Sequence, residues 1–407
     1  MTRWLGIDAG EGFHEMVLLD ASGQKAQSVK VANRADAIER AFRGLVQSAG
    51  GEVTVMVESR RSVGFVVTEV ALQMGLNVRT AGTQALEDFR DLEGQPRKSD
   101  SRDAYLLARV GYLGLGMSHS VLEITAEEQQ LGRLTRWRQR LSEDHTRLLN
   151  RLRCCLLELS PALVSQEAPK WSSQRVRHVL ARWPALIGLE RARLSTVERQ
   201  LVGGRMALRA AEARFLQQAA REVRMSPSER QIVAQELTFL IEQLKLMKES
   251  MTAVDRQIDA QVATHREGSK LKEMPGIGSF VAAVLVAELL PLARHASEGQ
   301  AATYSGVTPL SRSSGKQSRS HLARRTNKRI VRALFLSALA SIKDSAIDRA
   351  YYRRKRQEFE GHPKPHVKAT LALARQRSKV IYKLLTTEAC YDKETLISAH
   401  FERRQAA

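Results

Sequence analysis

Three strand signals in succession, followed by alternating helix and strand, fill the first eighty residues, and this order constrains the fold more than any other feature. RWLGIDAG reads as a strand ending in a glycine turn, EMVLLDASGQ as a second strand entering a hairpin turn, and QSVKVAN as a third. DAIERAFRGLVQSAG then carries helical periodicity and is closed by Gly50 and Gly51. EVTVMVES is a short apolar run of the kind that is buried on both faces of a sheet. VGFVVTEVALQMG reads as a helix and NVRTAG as a further strand. A meander followed by crossovers predicts one sheet with helices packed on it.

That order fits an α/β ribonuclease-H-like domain over residues 1–125. Beyond it the texture changes to long helices. Leu134, Trp137, Leu141, His145, Leu148, Leu152, Cys155 and Leu159 recur at spacings of three and four until Pro161 stops them. A second stripe follows the helix start Ser226-Pro227, with Leu237, Leu240, Leu244, Met247, Met251, Val254, Ile258 and Val262. Two such helices can pair antiparallel in one chain or across a dimer. Residues 126–265 are therefore a helical coiled-coil region, with a polar helical insertion from Trp171 to Val223 that suggests no function. The mostly α-helical last segment, 266–395, opens with KEMPGIGSFVAAVLVAEL. Its Pro275-Gly276-Ile277-Gly278 turn resembles a helix-hairpin-helix element, whose exposed amides can hold a phosphate. An ordinary tight turn accounts for the same residues.

No run of about 18 apolar residues marks a membrane span, and the amino terminus lacks a signal-peptide pattern. Cys154, Cys155 and Cys390 have no ligand spacing and make no disulfide framework. The net charge of +20 calls for a polyanion, since each phosphate contact releases condensed counterions. A diffusely basic surface is the competing explanation, but the cations crowd together. Arg312, Lys316, Arg319, Arg324, Arg325, Lys328, Arg329 and Arg332, followed by Arg353 to Arg356, form a nucleic-acid footprint.

Four acids form the candidate site. Asp8 ends the first strand, Glu58 ends VTVMVES, and Asp100 and Asp103 open the helical stretch KSDSRDAYLLARV. Each alone is more often a solvated surface group. Asp100 and Asp103, three apart, share a helix face and repel, so they need a cation, a proton or solvent. In a ribonuclease-H-like sheet the first and fourth strands end side by side, and a following helix can bring its first turn over them. Four converging carboxylates suit Mg2+, and two such ions are a recognised device for phosphoryl transfer. GIDAG also occurs in actin-like and sugar-kinase folds, but the duplicated phosphate-binding half and the adenosine-site glycines of those folds are missing from the sequence.

With these residues in view, the chain resembles the DEDD-type insertion-sequence transposases, bridge-RNA-guided recombinases related to the pilin-gene DNA invertases. The resemblance rests on GIDAG, VES, KSDSRDA, MPGIGSFVAAVL, YSGVTPLSRSSGK, RIVRALFLSA and KATLALARQRSKVIYKLL. It implies a RuvC-like domain carrying Asp8, Glu58, Asp100 and Asp103, two Mg2+ ions, and a coiled coil leading to a carboxyl-terminal transposase domain with a nucleophilic serine. By motif match that serine is Ser314, in Ser314-Gly315-Lys316, with Ser313 as the close alternative. The residues alone suggest only a flexible Ser/Gly loop. The implied chemistry is a phosphoserine intermediate, strand exchange and religation, at a site assembled from two domains of one subunit or of two. Implied partners are donor and target DNA, a noncoding guide RNA, and a second copy, with a tetramer when two DNA sites are joined. A cytoplasmic, nucleoid-associated prokaryotic protein is expected. A nuclease that only hydrolyses would need the acids and no serine, and a basic nucleic-acid-binding scaffold would need neither. One departure is local: Arg325-Thr326-Asn327 lacks the glycine that the family often places before the asparagine.

Overall fold

The computed structural model describes residues 2–81, 86–87, 89–90, 100–114, 119–120, 124–199, 210–294, 296–314, 317–322, 326–389 and 391. Two compact units result: Met1–Gly132 together with Val262–Ala407, and Arg133–Gln261. The first and last of the three expected segments thus share one unit.

Among the described residues, the first unit holds a six-stranded sheet ordered β3-β2-β1-β4-β5-β6. Its strands are β1 (Arg3–Ala9), β2 (Phe13–Leu19), β3 (Lys25–Ala32), β4 (Val53–Val57), β5 (Asn77–Thr80) and the two-residue β6 (His119–Ser120). β1, β2 and β3 are antiparallel neighbours, β4 lies parallel to β1, and β5 lies parallel to β4. This is the ribonuclease-H-like order. Strand alternation sorts two cores. Leu5, Ile7, Met16, Leu18, Val53, Val55 and Val57 face helices Ala35–Ala49 and Gly64–Gln73, meeting Ile38, Phe42, Leu45, Val67 and Ala71. Val17, Leu19 and Met56 point the other way, onto Ala104, Leu106, Ala108 and Val110 of helix Asp100–Tyr112.

Among its described residues, the last segment is helical apart from one hairpin. Helices Arg266–Lys272 and Ser279–Glu288 flank the Pro275–Gly278 turn. Gly276 has φ +77, and a Cβ there would come 2.5 Å from Ser337 O and Ser341 N, so the turn lies flat on helix Lys328–Asp344. Arg377, 2% exposed on helix Pro365–Thr386, donates to Pro275 O at 2.5 Å, Ser337 Oγ at 2.9 Å and Asp348 Oδ2 at 2.6 Å. Burial lowers the Arg377 pKa and Asp348 offsets this. Close packing therefore accounts for the glycine of this turn.

In the second unit, helix Ala126–Leu159 and helix Pro227–Thr264 run antiparallel within the chain. Arg138 Nε meets Asp255 Oδ1 at 2.7 Å at one end. Leu152, Cys155 and Leu159 share a core with Leu237, Leu240 and Leu244 at the other. The pairing left open by periodicity is thus intramolecular. The polar insertion folds back on it, burying Val176, Val179, Leu180, Leu186, Leu189, Val197, Ala213 and Leu216 in the same core. The Cys155 thiol is pushed up to about 12 by burial and by Glu236. Trp137, expected in the seam, is 44% exposed, because this stretch buries Leu131 and Thr135 instead. Among the described residues no helix is long and apolar enough to cross a membrane.

Candidate active site

The backbone places the four acids toward one end of the two central strands. Ile7 pairs with Val57 across β1 and β4, so Asp8 and Glu58 are the next residues in that register. By alternation Trp4, Gly6 and Asp8 share a face, as do Met56 and Glu58, and helix Asp100–Tyr112 covers that face. Glycines set how closely it lies. A Cβ on Gly6 would fall 2.0 Å from Ala104 O and 2.5 Å from Ala108 N, and one on Gly111 would fall 2.3 Å from Trp4 Cε3 and 2.8 Å from Met56 Cγ. The helix therefore runs antiparallel to β1, and its first turn, with Asp100 and Asp103, lies toward the end where β1 and β4 finish. Acids in a first turn are also favoured by the helix dipole.

The side chains divide. Glu58 and Asp100 are exposed, Asp8 is half-buried, and Asp103 is 4% exposed. Arg90 Nη2 holds Asp103 Oδ1 at 2.8 Å. The cation that relieves Asp103 here is thus a guanidinium. Among the described residues no three His, Cys, Asp or Glu side chains are gathered tightly enough to hold a metal ion. The acids fit a divalent ion as hard oxygen donors at adjoining strand ends and a helix start, while Arg90 occupies one of them.

The serines lie on the hairpin β7 (Pro309–Ser314) and β8 (Gln317–Leu322). Its register pairs Ser314 with Gln317, Ser313 with Ser318, Arg312 with Arg319 and Leu310 with His321. Lys316, Arg324 and Arg325 lie outside the described residues. Lys328 and Arg332 are exposed, as a phosphate-binding role requires. Arg329 is not: its Nε lies 3.2 Å from Glu288 Oε1, and its side chain is 16% exposed. That arginine serves the fold.

Glu288 is the residue that motif reading missed. Its carboxylate also receives Asn327 Nδ2 at 3.1 Å and lies 3.6 Å from Arg61 Nη2, just past Glu58. Asn327 caps helix Lys328–Asp344, its side-chain oxygen accepting from the backbone N–H groups of Arg329 and Ile330. A lone acid ending the apolar run SFVAAVLVAE was the available signal for Glu288. Arg90, in a stretch of mixed charge, offered none.

Two family descriptions match the chain: "Transposase", of the DEDD IS110 type, over residues 5–161, and "Transposase IS116/IS110/IS902 family" over residues 268–353. The uncharacterised protein of insertion element IS110 from Streptomyces coelicolor is 28% identical, over 96% of this chain and 95% of that one. Its counterpart in IS900 of Mycobacterium paratuberculosis is 27% identical, over 97% and 98%. That of IS116 from Streptomyces clavuligerus is 27% identical, over 94% of each. The solved structure of T. thermophilus RuvC in complex with Holliday junction substrate aligns at 16% identity and a TM-score of 0.24, covering 29% of this chain and 99% of that one.

Proposed function

The chain belongs to the IS110-type DEDD transposases of insertion sequences and is a DNA transposase, and we propose that it cuts and rejoins DNA through a phosphoserine formed on Ser314. The observation that carries the acidic half of this reading is the shared register of Asp8 and Glu58 beneath the first turn of helix Asp100–Tyr112. Asp8, Glu58, Asp100 and Asp103 would hold divalent metal, as two Mg2+ ions, with Asp103 released from Arg90. When bound, Mg2+ stabilises charge gathering on the phosphate oxygens. Ser314 attacks phosphorus, a P–O bond to its Oγ forms, the P–O bond to the sugar breaks, and the leaving sugar oxygen takes up a proton. The energy of the phosphodiester is kept in the protein–DNA bond, so reversal by a new sugar hydroxyl religates without a high-energy cofactor. Ser314 is preferred to Ser313 on the motif match, Ser314-Gly315-Lys316, in which the neighbouring Lys316 supplies a positive charge suited to the transition state.

Selection of donor and target DNA is assigned to an element-encoded noncoding RNA, on the family resemblance. Arg312, Lys316, Arg319, Arg324, Arg325, Lys328 and Arg332 supply phosphate contacts. Self-association to a dimer, and to a tetramer on joining two DNA sites, is assigned to helix Pro227–Thr264. Its Ile232, Phe239 and Leu246, seven residues apart, are 65%, 56% and 64% exposed. A cytoplasmic, nucleoid-associated location follows from the same reading.

A denaturing gel of protein with labelled DNA tests the chemistry. The wild type should show a covalent adduct that disappears in Ser314→Ala and persists in Ser313→Ala. The reverse pattern moves the nucleophile by one residue. Cleavage with no adduct from any serine identifies a hydrolysing nuclease, and binding with no cleavage identifies a scaffold.

A further inference from the structure

We propose that an arginine- and tryptophan-bearing stripe on helix Ala126–Leu159 docks an unpaired nucleic-acid strand. Arg133, Trp137, Arg140, Arg147 and Arg151 follow one another at spacings of four, three, seven and four, which places them on one helix face. All five are exposed, Trp137 to 44%. The stripe is about 27 Å long at the helical rise. Leaving an indole in water forgoes a large apolar burial, and here it sits between exposed arginines one turn to either side. The acid within the stripe, Asp144, pairs with Arg147.

Charge selects the occupant. A second copy laid on this stripe would bring arginine against arginine, whereas a phosphate backbone complements it. The exposed apolar seam that suits a second copy lies instead on the other long helix, at Ile232, Phe239 and Leu246. Trp137 refines the choice further. In a duplex the base faces are already stacked on each other, so an aromatic side chain finds a partner only on an unpaired strand, where stacking is sequence-tolerant. RNA and single-stranded DNA share that chemistry.

The inference rests on the nucleic-acid reading above but not on its chemistry, so the test is binding in EDTA. Full-length protein is titrated with a labelled mixed-sequence oligonucleotide as RNA, as single-stranded DNA and as the blunt duplex. Trp137→Ala should weaken unpaired-strand binding roughly tenfold or more, with Trp137→Phe restoring most of it and duplex binding nearly unchanged. Arg140→Gln with Arg151→Gln, both exposed, should flatten the slope of log affinity against log salt by about 0.7 for each phosphate no longer neutralised. Tighter binding of RNA than of DNA by the wild type, abolished in Trp137→Ala, names RNA as the strand; equal weakening for both leaves the surface indifferent to sugar. Unchanged affinity in Trp137→Ala and an unchanged slope in the double variant overturn the proposal. So does a change of oligomeric state with affinity intact, which gives the stripe to a second copy. No binding of any probe by the wild type would instead defeat the nucleic-acid reading itself.

Discussion

Gly6→Ala tests whether the acids depend on how closely helix Asp100–Tyr112 lies on β1. The new Cβ would sit 2.0 Å from Ala104 O and 2.5 Å from Ala108 N, where real Cβ atoms essentially never come within 3.0 Å. Both obstacles are backbone, so no side-chain rotation relieves them. The helix must lift by about 1 Å, because packed interiors leave no slack to absorb the methyl. Overpacking of this kind costs about 1–3 kcal/mol of stability. Asp100 and Asp103 ride on the displaced helix while Asp8 and Glu58 stay on the strands. Misplacement of catalytic groups by about 1 Å can cost on the order of a hundredfold in rate. Single-turnover cleavage of a DNA substrate should therefore fall about a hundredfold in Gly6→Ala, with nucleic-acid affinity held. Gly44→Ala is the control: on the exposed side of helix Ala35–Ala49 its Cβ meets nothing within 4 Å. It should stabilise the protein by about 0.5–1 kcal/mol and leave cleavage alone. A folded Gly6→Ala protein that cleaves at the wild-type rate would refute the reasoning.

Chelation by EDTA, or Glu58→Gln at an exposed position, should stop cleavage without moving Tm, and full cleavage in either removes the metal site. Since Arg90 holds Asp103, Arg90→Gln should shift the Mg2+ dependence of cleavage to lower concentration; an unmoved titration would exclude competition. Ile232→Glu, Phe239→Glu and Leu246→Glu together should yield monomers by light scattering, and an unchanged mass would place self-association elsewhere. His14 is fully buried, and that burial lowers its pKa, with Asn33 Oδ1 at 3.0 Å acting in the opposite sense. The unfolded chain then binds the proton more readily, so stability is fully present above about pH 6.5 and is lost as pH falls toward the lower folded pKa. His14→Gln should flatten that loss in urea melts taken across the acid side of pH 6.5, and a melt series with the wild-type slope would show that His14 is not its source.

The sheet was legible because its signals are local. Alternation in RWLGIDA and the apolar run VTVMV each announce a strand, and their order dictates the pairing. The backbone placement of the four acids was legible for the same reason, since strand ends and a helix start are positions in sequence. What those carboxylates touch was not. The Arg90 guanidinium reaches Asp103 from thirteen residues upstream, a pairing that no periodicity records. Trp137 fitted an apolar stripe by spacing, yet spacing cannot tell a seam from an exposed face when a helix changes what it buries along its length. The insertion from Trp171 to Val223 looked merely polar because its buried residues are spread over several separate helices, and in the longest of those described, Ala210–Glu222, most of them are alanines.

Glu288 shows how the two ends of the chain become one unit. Its side chain is only 10% exposed, and a carboxylate so placed must be compensated. The compensation comes from two distant segments: Arg61, three residues past Glu58, and Arg329 with Asn327, at the start of the helix that follows the serine hairpin. Burial and the Glu288 charge also raise the pKa of Tyr304, keeping its phenol protonated beside Asn327. Removing the carboxylate would leave cations from both segments facing each other, so the arrangement is held by mutual need and not by either half alone. The loop that follows an acid of the sheet and the helix that follows the serine hairpin are thereby pinned to a common point within one chain.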